Sequence, residues 1–140
     1  ADEYHDNIVA FWRPKQPIAA GKEHRWRYRL HWCGEHAWKP ELATVAATRI
    51  GAAHDGARLV VVDLAGGRLS QLADGAKPRV DVAASQGKLR NPVAYRNADT
   101  GTWRMSFELE PGSAGVSELR ARLVDAQGPL SETWLYRWMA

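Results

Sequence analysis

Within residues 23–32, apolar and polar residues alternate from Arg25 onward. Trp26, Tyr28, Leu30 and Trp32 occupy every second position of this run, with arginine or histidine between them. Because successive side chains of a β-strand point to opposite faces of its sheet, this pattern predicts a half-buried strand. It also predicts that the apolar face, with its two tryptophans, lies in the core.

The same period of two recurs later in the chain. Residues 103–109 place Trp, Met, Phe and Leu on one face, and residues 119–123 and 133–138 are predicted to form neighbouring strands joined by a turn at 127–129. Residues 58–64 are apolar on both faces, which predicts a strand in the middle of a sheet.

Glycine and proline turn signals recur at intervals of roughly 8 to 15 residues, and no segment shows a helical stripe over three turns. This spacing predicts an all-β domain of seven to nine strands, built as a sandwich or a barrel. Less regular patterns predict four further strands, at residues 7–12, 43–50, 79–83 and 93–96.

The composition fits one globular domain over residues 1–140, because 45% of the residues are hydrophobic and 25% are charged. The net charge is only +3 and the arginines are scattered among apolar positions, which makes nucleic acid a weak candidate partner. Cys33 is the only cysteine, so no disulfide can form within the chain and the redox compartment stays open.

No apolar run approaches the roughly 20 residues of a membrane span, so we do not expect a membrane-embedded chain. Residues 1–7 are too polar for a signal peptide, and the first residue is not Met. We therefore expect a fragment of a longer protein whose export signal, if it has one, lies upstream.

The sequence gives only weak signals for a catalytic or metal-binding site. His31, Cys33 and His36 could surround a metal ion, but polar residues at a strand end are the favoured interpretation. No two carboxylates have a reason to face each other across a sugar, and no nucleophile elbow or phosphate loop is present. Asp63 and Glu132 fall inside apolar strands, and a structural hydrogen bond or an ion pair with an arginine is the prediction for both. We predict no catalytic, cofactor-binding or metal-binding residue.

The seven tryptophans are the most suggestive feature, because flat aromatic faces can stack on sugar rings. Trp12 and Trp38 are predicted to be exposed, and together with Arg13 they are the candidate residues for contact with another domain or with a carbohydrate. The other five are predicted to lie in the core: Trp26, Trp32, Trp103, Trp134 and Trp138.

Several segments match one known family in order and spacing. They are DNIVAFWRP at 6–14, AGKE at 20–23, YRLHW at 28–32, ATRIG at 47–51, VDLAGGRL at 62–69 and LSETWLY at 130–136. On these residues, nearly the whole chain resembles the C-terminal region of the periplasmic glucans biosynthesis proteins of the MdoG/OpgG and OpgD type.

The resemblance implies an immunoglobulin-like antiparallel β-sandwich that forms the C-terminal part of a two-domain periplasmic protein. It further implies a role in making osmoregulated periplasmic glucans with a β-1,2-linked backbone, whose catalytic residues would lie in a larger N-terminal domain. The favoured function is a noncatalytic accessory domain that packs on that glucan-acting domain. The alternatives are a module that binds β-glucan or the membrane glucosyltransferase and, less favoured, a stand-alone enzyme. Self-association of the isolated domain through its docking face is a further expectation.

Overall fold

The computed structural model describes residues 13–34, 38–113 and 115–140. Within these ranges the chain forms eight β-strands and two short 3₁₀ turns, His54–Gly56 and Gly67–Gln71. The strands are β1 Thr44–Ala52, β2 Arg58–Ala65, β3 Arg79–Ala84, β4 Lys88–Arg96, β5 Trp103–Glu110, β6 Val116–Asp125, β7 Gly128–Pro129 and β8 Trp134–Met139.

The strands form two antiparallel sheets. The first sheet has the order β1-β2-β5-β4, and in the second sheet β6 pairs with β3, with the two-residue β7 and with β8. When the two-residue β7 is counted together with β8, this is the strand order of the constant-type immunoglobulin sandwich, which has four strands in one sheet and three in the other. The prediction of an all-β, immunoglobulin-like antiparallel sandwich of seven to nine strands is confirmed.

Alternating apolar residues of both sheets fill the core. In β5, the side chains of Trp103, Met105, Phe107 and Leu109 are all buried, as their period of two predicts. Strand β2 lies between β1 and β5, which confirms its predicted central position. The inward residues of the partner strands complete the core: Val60, Val62, Leu64, Leu119, Ala121 and Leu123.

The tryptophans of the sandwich are buried, as predicted. Trp103, Trp134 and Trp138 are each less than a tenth exposed. The indole Nε1 of Trp134 donates to Oγ1 of Thr48 at 2.9 Å, and its ring meets Phe107 edge to face at 6.1 Å. Since a buried indole N–H needs an acceptor, this bond allows Trp134 to bridge the two sheets.

The start of β1 is closed by a segment from near the end of the chain. Ala43 N–H donates to the carbonyl of Leu130 at 3.0 Å, and Glu132 N–H donates to the carbonyl of Ala43 at 2.9 Å. The Glu132 carboxylate accepts the N–H of Val45 at 2.7 Å. The structural hydrogen bond predicted for Glu132 is confirmed, and its donor is a backbone amide.

A glycine pair makes the turn after β2. Gly67 has φ +52°, and a Cβ at this position would overlap the backbone of Leu42 and Ala43. The neighbouring Arg68 N–H donates to the carbonyl of Glu41 at 2.9 Å. Only glycine allows the backbone to approach this closely in this conformation.

The chain divides into two compact units, Ala1–Trp32 and Cys33–Ala140, and the eight strands belong to the second unit. In the first unit, residues 13–32 contain no strand, so the strand predicted at 23–32 is wrong. Trp26 is 69% exposed and Trp32 is 90% exposed, so their predicted core positions are wrong as well. The physical reason is that none of the eight described strands pairs with this segment. Its apolar side chains therefore have no described sheet to pack against. The strand predicted at 7–12 lies outside the described residues.

Candidate interaction surface

The outward side of the first sheet carries an ion cluster centred on Asp63. Asp63 lies on β2 directly opposite Arg104 of β5, which in turn lies opposite Tyr95 of β4. Although Asp63 points away from the core, it is only 6% exposed, because the neighbouring side chains cover it. A carboxylate this well buried requires charged or hydrogen-bonding partners.

Two arginines supply these partners. Arg104 binds the carboxylate through Nε at 2.6 Å and Nη2 at 3.0 Å, and Nη1 of Arg49 on β1 donates to it at 2.7 Å. The hydrogen bonds from Arg104 hold the pKa of Asp63 below its ordinary value of 3.8; burial opposes them, and Arg49 lowers the pKa further. In return, Asp63 raises the pKa of Arg104. The predicted ion pair of Asp63 is confirmed, and a carboxylate held ionised in this way is unsuited to act as a general acid.

Exposed apolar side chains lie beside this cluster. Val93 and Tyr95 on β4 are 48% and 46% exposed, and Leu59 on β2 is 38% exposed. Val61 and Val93 both lie opposite Ser106 of β5, so they belong to one row across the sheet. We call this surface the outer face of the first sheet, defined by Leu59, Val61, Asp63, Val93, Tyr95 and Arg104. It combines apolar area with charges that are already paired.

The outward side of the second sheet combines ion pairs with exposed apolar side chains, since Val116 and Met139 are 38% and 66% exposed. Arg122 donates through Nε to Asp81 at 2.9 Å, a hydrogen bond that lowers the pKa of Asp81, and Arg137 lies 3.5 Å from Glu118. Leu135 is 71% exposed beside these ion pairs. The Arg137–Glu118 pair, whose side chains are 65% and 63% exposed, favours contact with water over burial.

An open groove of about 420 Å³ runs between β1 and β8. It is lined by residues of both strands, including Ile50, Tyr136 and Trp138, and by Arg58 of β2. Tyr136 is 40% exposed, and its ring is parallel to that of Trp134 at 5.5 Å. A partly exposed aromatic ring next to an arginine is a chemical environment in which a sugar ring could stack.

The predicted contact residues lie in different units. Trp38, in the second unit, is 58% exposed and precedes β1, so its predicted exposure is confirmed. Arg13, in the first unit, is exposed. Trp12 lies outside the described residues. The role of these residues in binding a domain or a glucan stays a prediction.

The first unit presents a run of apolar side chains to solvent. Trp26, Tyr28, Leu30 and Trp32 are 69%, 87%, 64% and 90% exposed. The ring of Trp26 stacks on His24 at 5.8 Å. Sequence reasoning found the alternation of this run but assigned its apolar face to the core of this chain.

Metal-ligating residues do not gather in the described part of the chain. Among residues 13–34, 38–113 and 115–140, no group of three histidines, cysteines or carboxylates could hold a metal ion. His36, one of the three weighed from the sequence, lies outside these ranges. None of the described residues forms a helix long and apolar enough to cross a membrane.

A family model and individual relatives both relate this chain to glucan biosynthesis proteins. The family model described as periplasmic glucan biosynthesis protein, MdoG, matches residues 1–138. The glucans biosynthesis protein G of Rhodopseudomonas palustris is 47% identical over 138 residues, which cover 98% of this chain and 27% of that protein. Its counterpart from Bradyrhizobium diazoefficiens is 40% identical, over 98% of this chain and 27% of the relative.

A counterpart from Vibrio cholerae is 39% identical, over 97% of this chain and 25% of the relative. The chain therefore spans about a quarter of the length of the curated relatives it matches. The match over nearly all of this chain establishes that it belongs to the MdoG family of periplasmic glucan biosynthesis proteins.

Proposed function

We propose that this chain is a noncatalytic accessory domain that packs on, and positions, the glucan-acting domain of a periplasmic glucan biosynthesis protein. The relatives bear that family name, and most of each relative lies outside the match. The glucan would have a β-1,2-linked backbone, and the site of action would be the periplasm. The proposed partner is a domain that corresponds to the larger part of each relative, outside the match.

The outer face of the first sheet is the observation that carries this proposal. Leu59, Val93 and Tyr95 offer apolar area whose burial is favourable, at about 25 cal/mol per Å². Interdomain surfaces are usually partly apolar and partly polar, as this face is.

The ion cluster makes this face compatible with burial. Covering an unpaired charge would cost several kcal/mol, whereas the Asp63 carboxylate already has three hydrogen bonds from Arg104 and Arg49. A neighbouring domain can therefore cover this carboxylate without having to supply its partners. On the outward side of the second sheet, Arg137 and Glu118 lie 3.5 Å apart with side chains that are 65% and 63% exposed. Covering this loosely paired acid and base would remove their water, which makes that face the less suitable one.

The test uses a hybrid in which this chain replaces the matched part of the R. palustris protein. We expect Tyr95→Asp to weaken the coupling between the two domains, seen in calorimetry as a separate unfolding transition of the smaller domain. Leu135→Asp, on the second sheet and more exposed, is the matched control and should leave the coupling unchanged.

Each substitution is also made in the 140-residue chain, which reports any effect within the domain itself. Equal coupling in the hybrid and in both variants would contradict docking through the outer face of the first sheet. To test the absence of catalysis, the 140-residue chain is incubated with linear β-1,2-glucan. Release of shorter glucans would contradict that part of the proposal.

A second candidate function is a module that binds β-glucan or the membrane glucosyltransferase. The observations that favour it are the exposed ring of Trp38 and the Tyr136 ring in the groove between β1 and β8. An NMR titration of the labelled chain with linear β-1,2-glucan oligosaccharides separates the two. Saturable shifts of the Trp38 indole N–H or of amides around Tyr136 would favour the binding module, and unchanged spectra would favour the accessory domain.

A further inference from the structure

Arg49 lies at the border of the outer face of the first sheet. Its position on β1 is opposite Val61 of β2, and Val61 and Val93 both lie opposite Ser106 of β5. Val93 is 48% exposed. One row across the sheet therefore begins with an arginine and continues with two valines.

The ion cluster beside this row carries more positive than negative charge. Asp63 contributes one carboxylate, and the guanidinium groups of Arg49 and Arg104 both donate hydrogen bonds to it. The pKa of Asp63 is lowered, so this carboxylate is ionised at neutral pH. One negative charge cannot neutralise two positive ones, and the cluster therefore attracts a further anionic group.

The two arginines differ in how much of each side chain faces water. Arg104 donates to Asp63 through two nitrogens, and its side chain is 26% exposed. Arg49 donates to Asp63 through Nη1, and its side chain is 63% exposed. A guanidinium has five N–H groups, so Arg49 retains donors for a second acceptor. The accessible charge of the cluster is therefore that of Arg49.

A domain that covers the outer face of the first sheet must also take up this charge. A guanidinium that loses its water without gaining an acceptor destabilises the contact. A carboxylate offers two acceptor oxygens in the geometry of the guanidinium fork, which makes it the most suitable partner. The row thus defines a complementary surface that is apolar opposite Val61 and Val93 and acidic opposite Arg49.

The larger part of the relatives is the occupant that these charges favour. This chain covers 27% of the R. palustris protein and 25% of the V. cholerae protein, so most of each relative lies outside the match. A domain on the same polypeptide is held at a high effective concentration near this face. A symmetric contact between two copies of this chain would instead bring two positively charged clusters together.

We propose that the glucan-acting domain covers the outer face of the first sheet with an apolar surface that bears a carboxylate, and that this carboxylate pairs with Arg49. The inference rests on the proposed function, which supplies the neighbouring domain, and adds the chemistry of that domain's surface. It assigns different roles to the two arginines. Arg104 holds Asp63 within the sheet, whereas Arg49 recognises the partner and fixes the orientation in which the smaller domain is positioned.

Carbodiimide cross-linking tests the proposal, because the reagent joins a lysine amine to a carboxylate that contacts it. Arg49→Lys is made in the hybrid with the R. palustris protein. We expect a cross-linked peptide that joins β1 to the part of the hybrid outside the match, at a yield at least about tenfold above that of Arg137→Lys. Arg137 is the matched control, because it lies on the second sheet, is 65% exposed and has Glu118 as an acidic neighbour.

Two further readings accompany the cross-linking. A lysine at the aligned position of the R. palustris protein itself gives a result that does not depend on the hybrid folding. Asp63 provides an internal reference, since it lies beside the substituted position. Cross-links from Arg49→Lys to Asp63 alone, in a folded hybrid, would overturn the pairing.

Calorimetry measures what the pair contributes. Arg49→Gln removes the charge and should lower the unfolding temperature of the smaller domain by about 4 °C more in the hybrid than in the 140-residue chain. Arg137→Gln should lower it equally in both. The comparison with the 140-residue chain removes the effect of Arg49 on the Asp63 cluster itself, so equal shifts for Arg49→Gln would also overturn the pairing.

Other outcomes separate this inference from the proposed function. Coupled unfolding of the hybrid without a cross-link to the larger part would overturn the pairing and leave the accessory domain in place. Separate unfolding of the two domains in a folded hybrid, again without that cross-link, would overturn the docking role as well. Cross-links between isotopically distinct copies of the Arg49→Lys chain would assign this surface to self-association and overturn the proposal.

Discussion

The carboxylate of Asp63 and the guanidinium of Arg104 face each other across neighbouring strands, joined by two hydrogen bonds of 2.6 and 3.0 Å. This two-point contact fixes the orientation of both side chains on the outward side of the sheet. Arg49 approaches the same carboxylate from the other neighbouring strand, so one acidic group connects three strands.

We expect Asp63→Asn to lower the free energy of unfolding by about 2 kcal/mol, because two arginines lose the charge that they surround. The matched control is Asp74→Asn, since Asp74 pairs with Arg96 at 3.3 Å from an almost fully exposed position. Urea unfolding of both variants measures the difference. Equal stability of Asp63→Asn and the unsubstituted chain would show that the cluster adds nothing to the sandwich.

The same carboxylate predicts a pH dependence. The pKa of Asp63 is lower in the folded chain than its ordinary value of 3.8, so the unfolded chain binds more protons in this range. The contribution of Asp63 to stability is therefore complete above about pH 4 and is lost as the pH falls through the folded pKa.

The difference in unfolding free energy between the unsubstituted chain and Asp63→Asn should accordingly shrink as the solution is acidified. Urea unfolding at a series of pH values measures it, and Asp74→Asn serves again as the control. A difference that stays constant down to about pH 2 would contradict the lowered pKa.

Gly67→Ala should be among the most damaging single changes in the sandwich, with a loss of about 3 kcal/mol. The new methyl group would meet the backbone of Leu42 and Ala43, which cannot move aside as a flexible side chain could. Gly101→Ala is the matched control, because Gly101 also has a positive φ of +68° but has open space where the Cβ would lie. It should cost about 1 kcal/mol, from backbone strain alone. Thermal unfolding of the two variants tests the comparison, and equal losses would show that the close approach is unimportant.

Glu132→Ala should destabilise the sandwich by about 1 kcal/mol, since Val45 N–H would lose its acceptor at the start of β1. Glu132→Gln keeps an acceptor oxygen at the same position and should retain most of the stability. Hydrogen exchange at the Val45 amide provides a local reading. Unchanged exchange in Glu132→Ala would indicate that water replaces the carboxylate at no cost.

The strands of the sandwich could be predicted from the sequence because each strand pairs with a neighbour in a sheet. The sheet then buries the apolar half of the alternating pattern. Residues 103–109, for example, meet β2 on one side and β4 on the other, so the apolar half of their pattern is buried. Residues 23–32 show an equally regular pattern and yet form no strand in the described chain. Periodicity records which face a segment buries and carries no information on which chain or domain supplies the sheet.

Only part of the candidate interaction surface could be predicted from the sequence. The ion pair of Asp63 could be predicted because an acidic residue inside an apolar strand must find a partner. The choice of Arg49 and Arg104 depends on strand order and register, which bring together residues far apart in sequence. The row formed by Val61 and Val93 could not be predicted for a related reason. The strand that carries Val93 begins at Lys88, and its pairing with β5 is irregular between Arg90 and Val93, so the alternation is broken there.

The closure of β1 by Glu132 has a consequence for the order in which the protein folds. The hydrogen bond to Val45 spans 87 residues of sequence, so it cannot form until Glu132 has been synthesised, long after β1 can pair with β2. Before then, the backbone of Ala43 and Val45 at the outer edge of β1 lacks these partners and is open to pairing with the edge of another nascent chain. We therefore expect closure by residues 130–132 to be a late step, after the pairing of β2 with β5, and the nascent chain to be most prone to aggregation just before it.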